Sequence, residues 1–204
     1  GVDLLDSRLE YSKQFGATHT VNPSKMDLRE AVAELTAKRS NIPTPCWHFI
    51  GPIQSNKTRD ISRYFSWVHS VDRLKIAVRL NQQRPVNQPP LNICLQVNID
   101  EEESKSGFSL KELIGVIEPM LALDNIQLRG LMAIPRAEKS VSEQRASFKR
   151  LADVQAEINQ RFNLELDTLS MGMSADLESA IAEGSTMVRI GTAIFGERLK
   201  SAVL

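Results

Sequence analysis

Short apolar runs alternate along this chain with stretches of helical periodicity, and no other feature constrains the fold as much. Residues 1–5 read as a strand, and Ser7-Arg8-Leu9-Glu10 has the spacing of a capping box. A helix is expected from there to about Phe15, stopping at Gly16. The β-branched run 18–22 reads as a second strand. Asp27-Leu28-Arg29-Glu30 repeats the acidic cap spacing, ahead of a helical face of Leu28, Ala31, Val32 and Leu35. Further strands are predicted at 47–51, 67–71, 92–99, 128–134, 166–173 and 187–191. A short helix falls in the polar segment after the first of these. Asp72 is placed to cap the next, with Leu74, Ala77, Val78 and Leu80 inward. Leu110, Leu113, Ile114, Ile117 and Leu121 form one helical stripe; Phe148, Leu151, Val154, Ile158 and Phe162 form a longer one. A short helix is expected to open near Ser174 and close near Gly184, and a last one closes the chain.

Strict strand–helix alternation argues for a parallel α/β fold. Eight such units match a (β/α)8 TIM barrel, and 204 residues lies near that fold's lower size limit of ~200. The expectation is one barrel domain over 1–204, with 1–46 an atypical opening segment. The runner-up is a doubly wound open sheet, against which stands the absence of a GxGxxG loop after any strand. Lys plus Arg and Asp plus Glu each number 25, and zero net charge argues against a partner bound through its phosphate backbone. No apolar run suits a bilayer span and no signal-peptide pattern opens the chain; Gly1-Val2-Asp3 reads as a trimmed start. Cys46 and Cys94 stand far apart without a CxxC pair, which suits a reducing, cytoplasmic compartment and no cysteine-rich zinc site.

In a barrel the candidate chemistry follows the strands. Polar groups sit there at Gln54 to Lys57, at Asn98 with Ser104 to Gly107, at Gly172-Met173-Ser174 and at Arg189-Ile190-Gly191-Thr192. If a helix opens at Ser174, its hydroxyl and the free backbone N–H groups face one point suited to an anion. Gly191 permits close approach to the backbone and Thr192 adds a hydroxyl. The plain alternative is a helix cap at Ser174 and a turn at Gly191-Thr192. Arg189 lies inside the apolar run Met187-Val188-Arg189-Ile190. It must exit at a rim, pair with a carboxylate or meet a ligand. His48 and His69 read as core or lining histidines making one hydrogen bond each, Cys94 as core packing, and Glu101 to Glu103 as a solvated loop.

From Trp47 onward the chain resembles the pyridoxal-phosphate (PLP) homeostasis protein family, the YggS/PROSC group. The motifs that carry the resemblance are WHFIGPIQSNK at 47–57, WVHSVDRLKIAVRLN at 67–81, QVNIDEEESKSGF at 96–108, LRGLMAIP at 128–135 and LSMGMSADLESAIAEGSTMVRIGTAIFG at 169–196. The resemblance implies the barrel of fold-type III PLP proteins, akin to the N-terminal domain of alanine racemase. It implies that Ser174, Gly191 and Thr192 hold the cofactor phosphate and that Arg189 faces the pyridine nitrogen; Met173 and His48 complete the expected set. An arginine donates only, so it would keep that nitrogen unprotonated and the ring a weaker electron sink. The family's opening motifs, an AVSKT-like strand end whose lysine forms the Schiff base and a GENY-like strand, are absent from 1–46. That segment resembles part of the nucleotide-binding domain of zinc-type alcohol dehydrogenases, but without the glycine loop, so NAD binding is not carried over. Lys25 is the nearest substitute amine and Asn22 could stand in for the family's asparagine on the second strand.

Three functions follow. The resemblance implies a non-catalytic PLP-binding protein of vitamin B6 and amino-acid balance, monomeric or a weak homodimer, with neither nucleic acid nor membrane as partner. A PLP-dependent amino-acid racemase is the alternative; it needs two bases, one of which alanine racemases take from a separate domain. A nicotinamide-binding fragment is the most distant reading.

Overall fold

The computed structural model describes residues 46–195 apart from 103–104 and 137–139, together with Asp6, Glu10, Lys13, Lys25, Asp27, Glu30 and Glu34. Two compact units are distinguished: Cys46–Arg189, and Gly1–Pro45 with Ile190–Leu204. The strands expected at 1–5 and 18–22 lie outside the described residues.

In the larger unit the order is β1 (His48–Phe49), α1 (Thr58–Tyr64), β2 (Trp67–Val71), α2 (Leu74–Gln83), β3 (Leu91–Val97), α3 (Leu110–Leu121), β4 (Ile126–Ala133), α4 (Val141–Phe162), β5 (Thr168–Met173), α5 (Leu177–Ala182) and β6 (Met187–Arg189). The six strands form one sheet in the order β1-β2-β3-β4-β5-β6, every pair parallel. Sequential parallel order is that of a barrel wound in one direction; a doubly wound sheet would reverse it.

Alternation along β3 separates two faces. Leu91, Ile93, Leu95 and Val97 join the core that packs against the helices. That core takes Ile76, Ala77 and Leu80 from α2, Leu113 and Ile117 from α3, and Phe148, Leu151 and Ile158 from α4. The opposite face carries the polar side chains. Two irregularities adjust the alternation. Val68 and Val71 of β2 oppose Ile93 and Leu95, three steps against two, so both valines reach the core. Ser70, between them, instead donates its hydroxyl to the Gly51 carbonyl at 2.5 Å. Ser170 and Met173 of β5 oppose Met187 and Arg189 in the same way. The extra residue is absorbed at Gly172, whose φ is +96° and where a Cβ would lie 2.6 Å from that of Ala180.

Several boundaries differ from the sequence expectation. β1 keeps two residues of the five expected, and β6 ends at Arg189, before Gly191. Asp72 does not cap α2; Arg73 is the N-cap, and Asp72 accepts from the Arg73 guanidinium at 2.8 and 2.9 Å. In α3 the buried position is Met120, while Leu121 is 45% exposed. The helix after β5 starts at Leu177, so Ser174 does not cap it. After β3, Asn98 Oδ1 accepts from the Glu102 N–H at 3.1 Å, and Glu102 pairs with Arg136 at 3.4 Å.

In the smaller unit Asp6, Glu10 and Lys13 are helical; Ser7 lies outside the described residues. The Asp27 cap matches the expectation: its Oδ1 accepts from the Glu30 N–H at 3.0 Å. Helix α6 (Thr192–Phe195) follows Gly191. No helix among the described residues is long and apolar enough to cross a membrane.

Candidate cofactor site

The polar face of the larger unit is organised around Arg189. The side chain leaves the end of β6 and crosses β5. Its Nη1 donates to the Ser170 carbonyl and to Ser170 Oγ, both at 2.8 Å, and its Nη2 donates to the Ala133 carbonyl at the end of β4 at 3.0 Å. No carboxylate forms an ion pair with it among the described residues; Asp176 acts on it only at longer range. Burial pulls the guanidinium pKa down, opposed in part by Asp176. Three of the five N–H donors of the group are spent, all on neutral acceptors. Pairing with a carboxylate, one of the alternatives the sequence left open, is therefore not what holds this arginine.

Behind it lie the two histidines. Ser170 Oγ is 2.7 Å from His69 Nδ1, and His69 Nε2 is 2.9 Å from His48 Nδ1. Both Ser170 and His69 are buried, and the His48 ring stacks on Trp67 at 5.4 Å. Burial lowers the His69 pKa to about 4, helped by the positive potentials of His48 and Arg189; burial also lowers that of His48. Cys94 lies nearby, its thiol pushed up to about 12 by burial. At the other end of the strands Arg129 forks onto Asp167, donates to Asn92 Oδ1 at 3.0 Å and lies 4.9 Å over the Trp67 ring.

Met173, Ser174, Arg189 and His48 belong to this unit. Met173 is the last residue of β5, and its N–H donates to Asp176 Oδ1 at 2.6 Å. Ser174 opens the three-residue turn before α5 and is half-buried. Gly191, Thr192 and Lys25 belong to the other unit. Gly191 and Thr192 are exposed, the Gly191 carbonyl accepts from Ile194, and a Cβ on Gly191 would meet nothing within 4 Å. Lys25 is exposed and ion-paired with Asp6. Asn22 lies outside the described residues. Ser170 and the Ala133 carbonyl were not singled out from the sequence. A serine interrupting the apolar run 169–173 was the available signal, and His69 makes two hydrogen bonds where one was expected.

Residues 26–199 match the alanine racemase N-terminal domain family. A pyridoxal phosphate homeostasis protein of Pseudomonas aeruginosa is 56% identical over 171 residues, 84% of this chain and 72% of that protein. The chain belongs to the pyridoxal phosphate homeostasis protein family. The family's member from Escherichia coli K12 is 53% identical over 152 residues, and this chain spans only 64% of its length. Among solved structures, PipY of Synechococcus elongatus with PLP bound is 33% identical, covering 90% of this chain and 84% of that one, with a TM-score of 0.70. Alanine racemase of Clostridium difficile 630, at 14% identity and a TM-score of 0.63 over 98% of this chain and 52% of that one, shares the fold. The parallel arc of β1 to β6 is thus the strand arrangement of the alanine racemase N-terminal domain.

Proposed function

We propose that this protein binds pyridoxal 5′-phosphate at the C-terminal ends of its strands and serves intracellular vitamin B6 and amino-acid balance without turning over a substrate. One observation carries the reading. Arg189 is a half-buried cation with no carboxylate partner and two N–H donors unspent among the described residues. Such a group suits a ligand atom that only accepts, and an unprotonated pyridine nitrogen is one. The cofactor, when bound, supplies an aldehyde and an electron-withdrawing ring. Arg189 restrains that ring as an electron sink, consistent with a role in holding rather than converting.

The remaining contacts are assigned on the same reading. Ser174, Gly191 and Thr192 are assigned to the phosphate from the family resemblance, and Met173, His48, Asn22 and Lys25 to the cofactor without a finer role. The names of the family relatives and the bound cofactor in PipY support this assignment. The six-strand arc is read as part of a closed (β/α)8 barrel within a single domain. The protein is placed in the cytoplasm as a monomer or weak homodimer.

The test is a titration of the full chain with PLP, followed by absorbance and by tryptophan fluorescence. Saturable one-to-one binding is expected, weakened about tenfold or more by Arg189→Gln, the loss of a charged hydrogen-bond donor. Absence of saturable binding overturns the reading. Borohydride treatment and peptide mapping decide whether the Lys25 amine joins the cofactor covalently. Turnover of D- or L-amino acids would replace the holding role by that of a racemase.

A further inference from the structure

We propose that Ser170 and His69 are positioning residues for Arg189, a buried neutral relay that holds the guanidinium for the ring nitrogen without neutralising its charge. The proposal rests on the cofactor reading for what the guanidinium meets, but the anchoring is a property of the chain alone.

The argument starts from proton counting. Ser170 Oγ accepts from Arg189 Nη1, and its own proton has one acceptor among the described residues, Nδ1 of His69. The reverse assignment, His69 donating to Ser170, would leave a fully buried hydroxyl proton without an acceptor. The hydrogen-bond network therefore assigns His69 its proton on Nε2, which donates to His48 Nδ1 at 2.9 Å. Every proton in the chain points away from Arg189. Each donation makes the next oxygen or nitrogen a better acceptor, so the hydroxyl binds the guanidinium more firmly than an isolated serine would.

A carboxylate in that place would hold the arginine more strongly, but it would cancel the charge a ligand needs. A serine backed by a neutral imidazole holds the group and leaves the charge uncompensated. The cost of the arrangement points the same way. Ser170 and His69 are 0% and 1% exposed on a face where apolar side chains could pack. Buried polar groups of that kind persist where every member is satisfied, as here. The strand register serves it too: Ser170 pairs with Met187, two residues before Arg189 and so on the same face of β6.

Two measurements on the full chain test this. In the ligand-free protein, 15N NMR of the Arg189 guanidinium should show hindered rotation about its Cζ–N bonds. Ser170→Ala and His69→Leu should each speed that rotation, the two backbone carbonyls remaining as acceptors, and His69→Asn, whose amide oxygen can stand where Nδ1 stands, should leave it as in the wild type. Ser170→Ala is small enough to fold, so rotation as slow in that variant as in the wild type overturns the proposal. In the second measurement, Ser170→Ala should weaken PLP about tenfold while changing affinity for a 1-deaza analogue, which has carbon in place of the ring nitrogen, less than twofold. Equal losses for the two ligands overturn the link to the nitrogen. Wild-type protein that binds neither ligand overturns the cofactor reading instead, and the guanidinium measurement then decides the anchoring by itself.

Discussion

At Gly130 the backbone leaves no room for any side chain. A Cβ there would stand 1.8 Å from the Thr168 carbonyl oxygen and 2.9 Å from Gln155 Oε1. The Gln155 amide reaches across from α4, accepting from the Leu131 N–H at 3.2 Å and donating to the Leu166 carbonyl at 3.1 Å. Gly130→Ala must push β4 from β5 and break that bridge. A loss of about 3 kcal/mol is expected, read as a lower urea midpoint at unchanged slope. At this scale legibility was uneven. Arg189 was conspicuous as a cation inside an apolar run, and that cue needs no neighbours. Its anchor was not conspicuous, because Ser170 and His69 are 101 residues apart and only folding makes them partners.

Helix starts set the next level. α3 and α4 both begin with a full capping box, Ser109 with Glu112 and Ser140 with Glu143. Each serine satisfies a backbone N–H that the helix leaves open, and each glutamate returns to the serine's own N–H. Ser140→Ala should cost about 1 kcal/mol in chemical denaturation, with the fold otherwise intact. α4 stops at Asn163, which takes the left-handed conformation with φ at 50°. The helical stripes were legible because 3.6-residue periodicity is local. Strand ends were less so: β3 alternates apolar and polar side chains, but alternation within a strand does not mark where pairing stops. β6 was expected to reach 191 and ends at Arg189. Ser174 was expected to cap a helix, yet Ala175 and Asp176 intervene before Leu177, and Asp176 Oδ1 accepts from the Met173 N–H.

For the molecule as a whole, the buried His69 ties stability to pH. His69 has a folded pKa of about 4 against 6.5 when unfolded. Between those values the unfolded chain takes up a proton that the folded chain refuses. Stability is therefore intact above pH 6.5 and falls as the pH is lowered toward 4, by up to about 1.4 kcal/mol per pH unit. The Asp167 carboxyl, held below its usual range by the Arg129 guanidinium, adds its own loss only below its unfolded value of 3.8. Urea midpoints at several pH values from 7 to about 4.5 should show the first decline, and His69→Asn should flatten it.

The order of apolar and periodic segments determined the parallel α/β class, because a β–α alternation can bury both faces of a sheet only by winding helices along it. Local chemistry likewise marked the core stripes, the Asp27 cap and the cation in the last strand. What tertiary structure alone decided was which polar groups meet. The pairing of Ser170 with Met187 put it on the face of Arg189, and the parallel packing of distant strands set two histidines behind them. Those contacts join residues on different strands, up to 101 residues apart, and no local pattern encodes which strands will be neighbours.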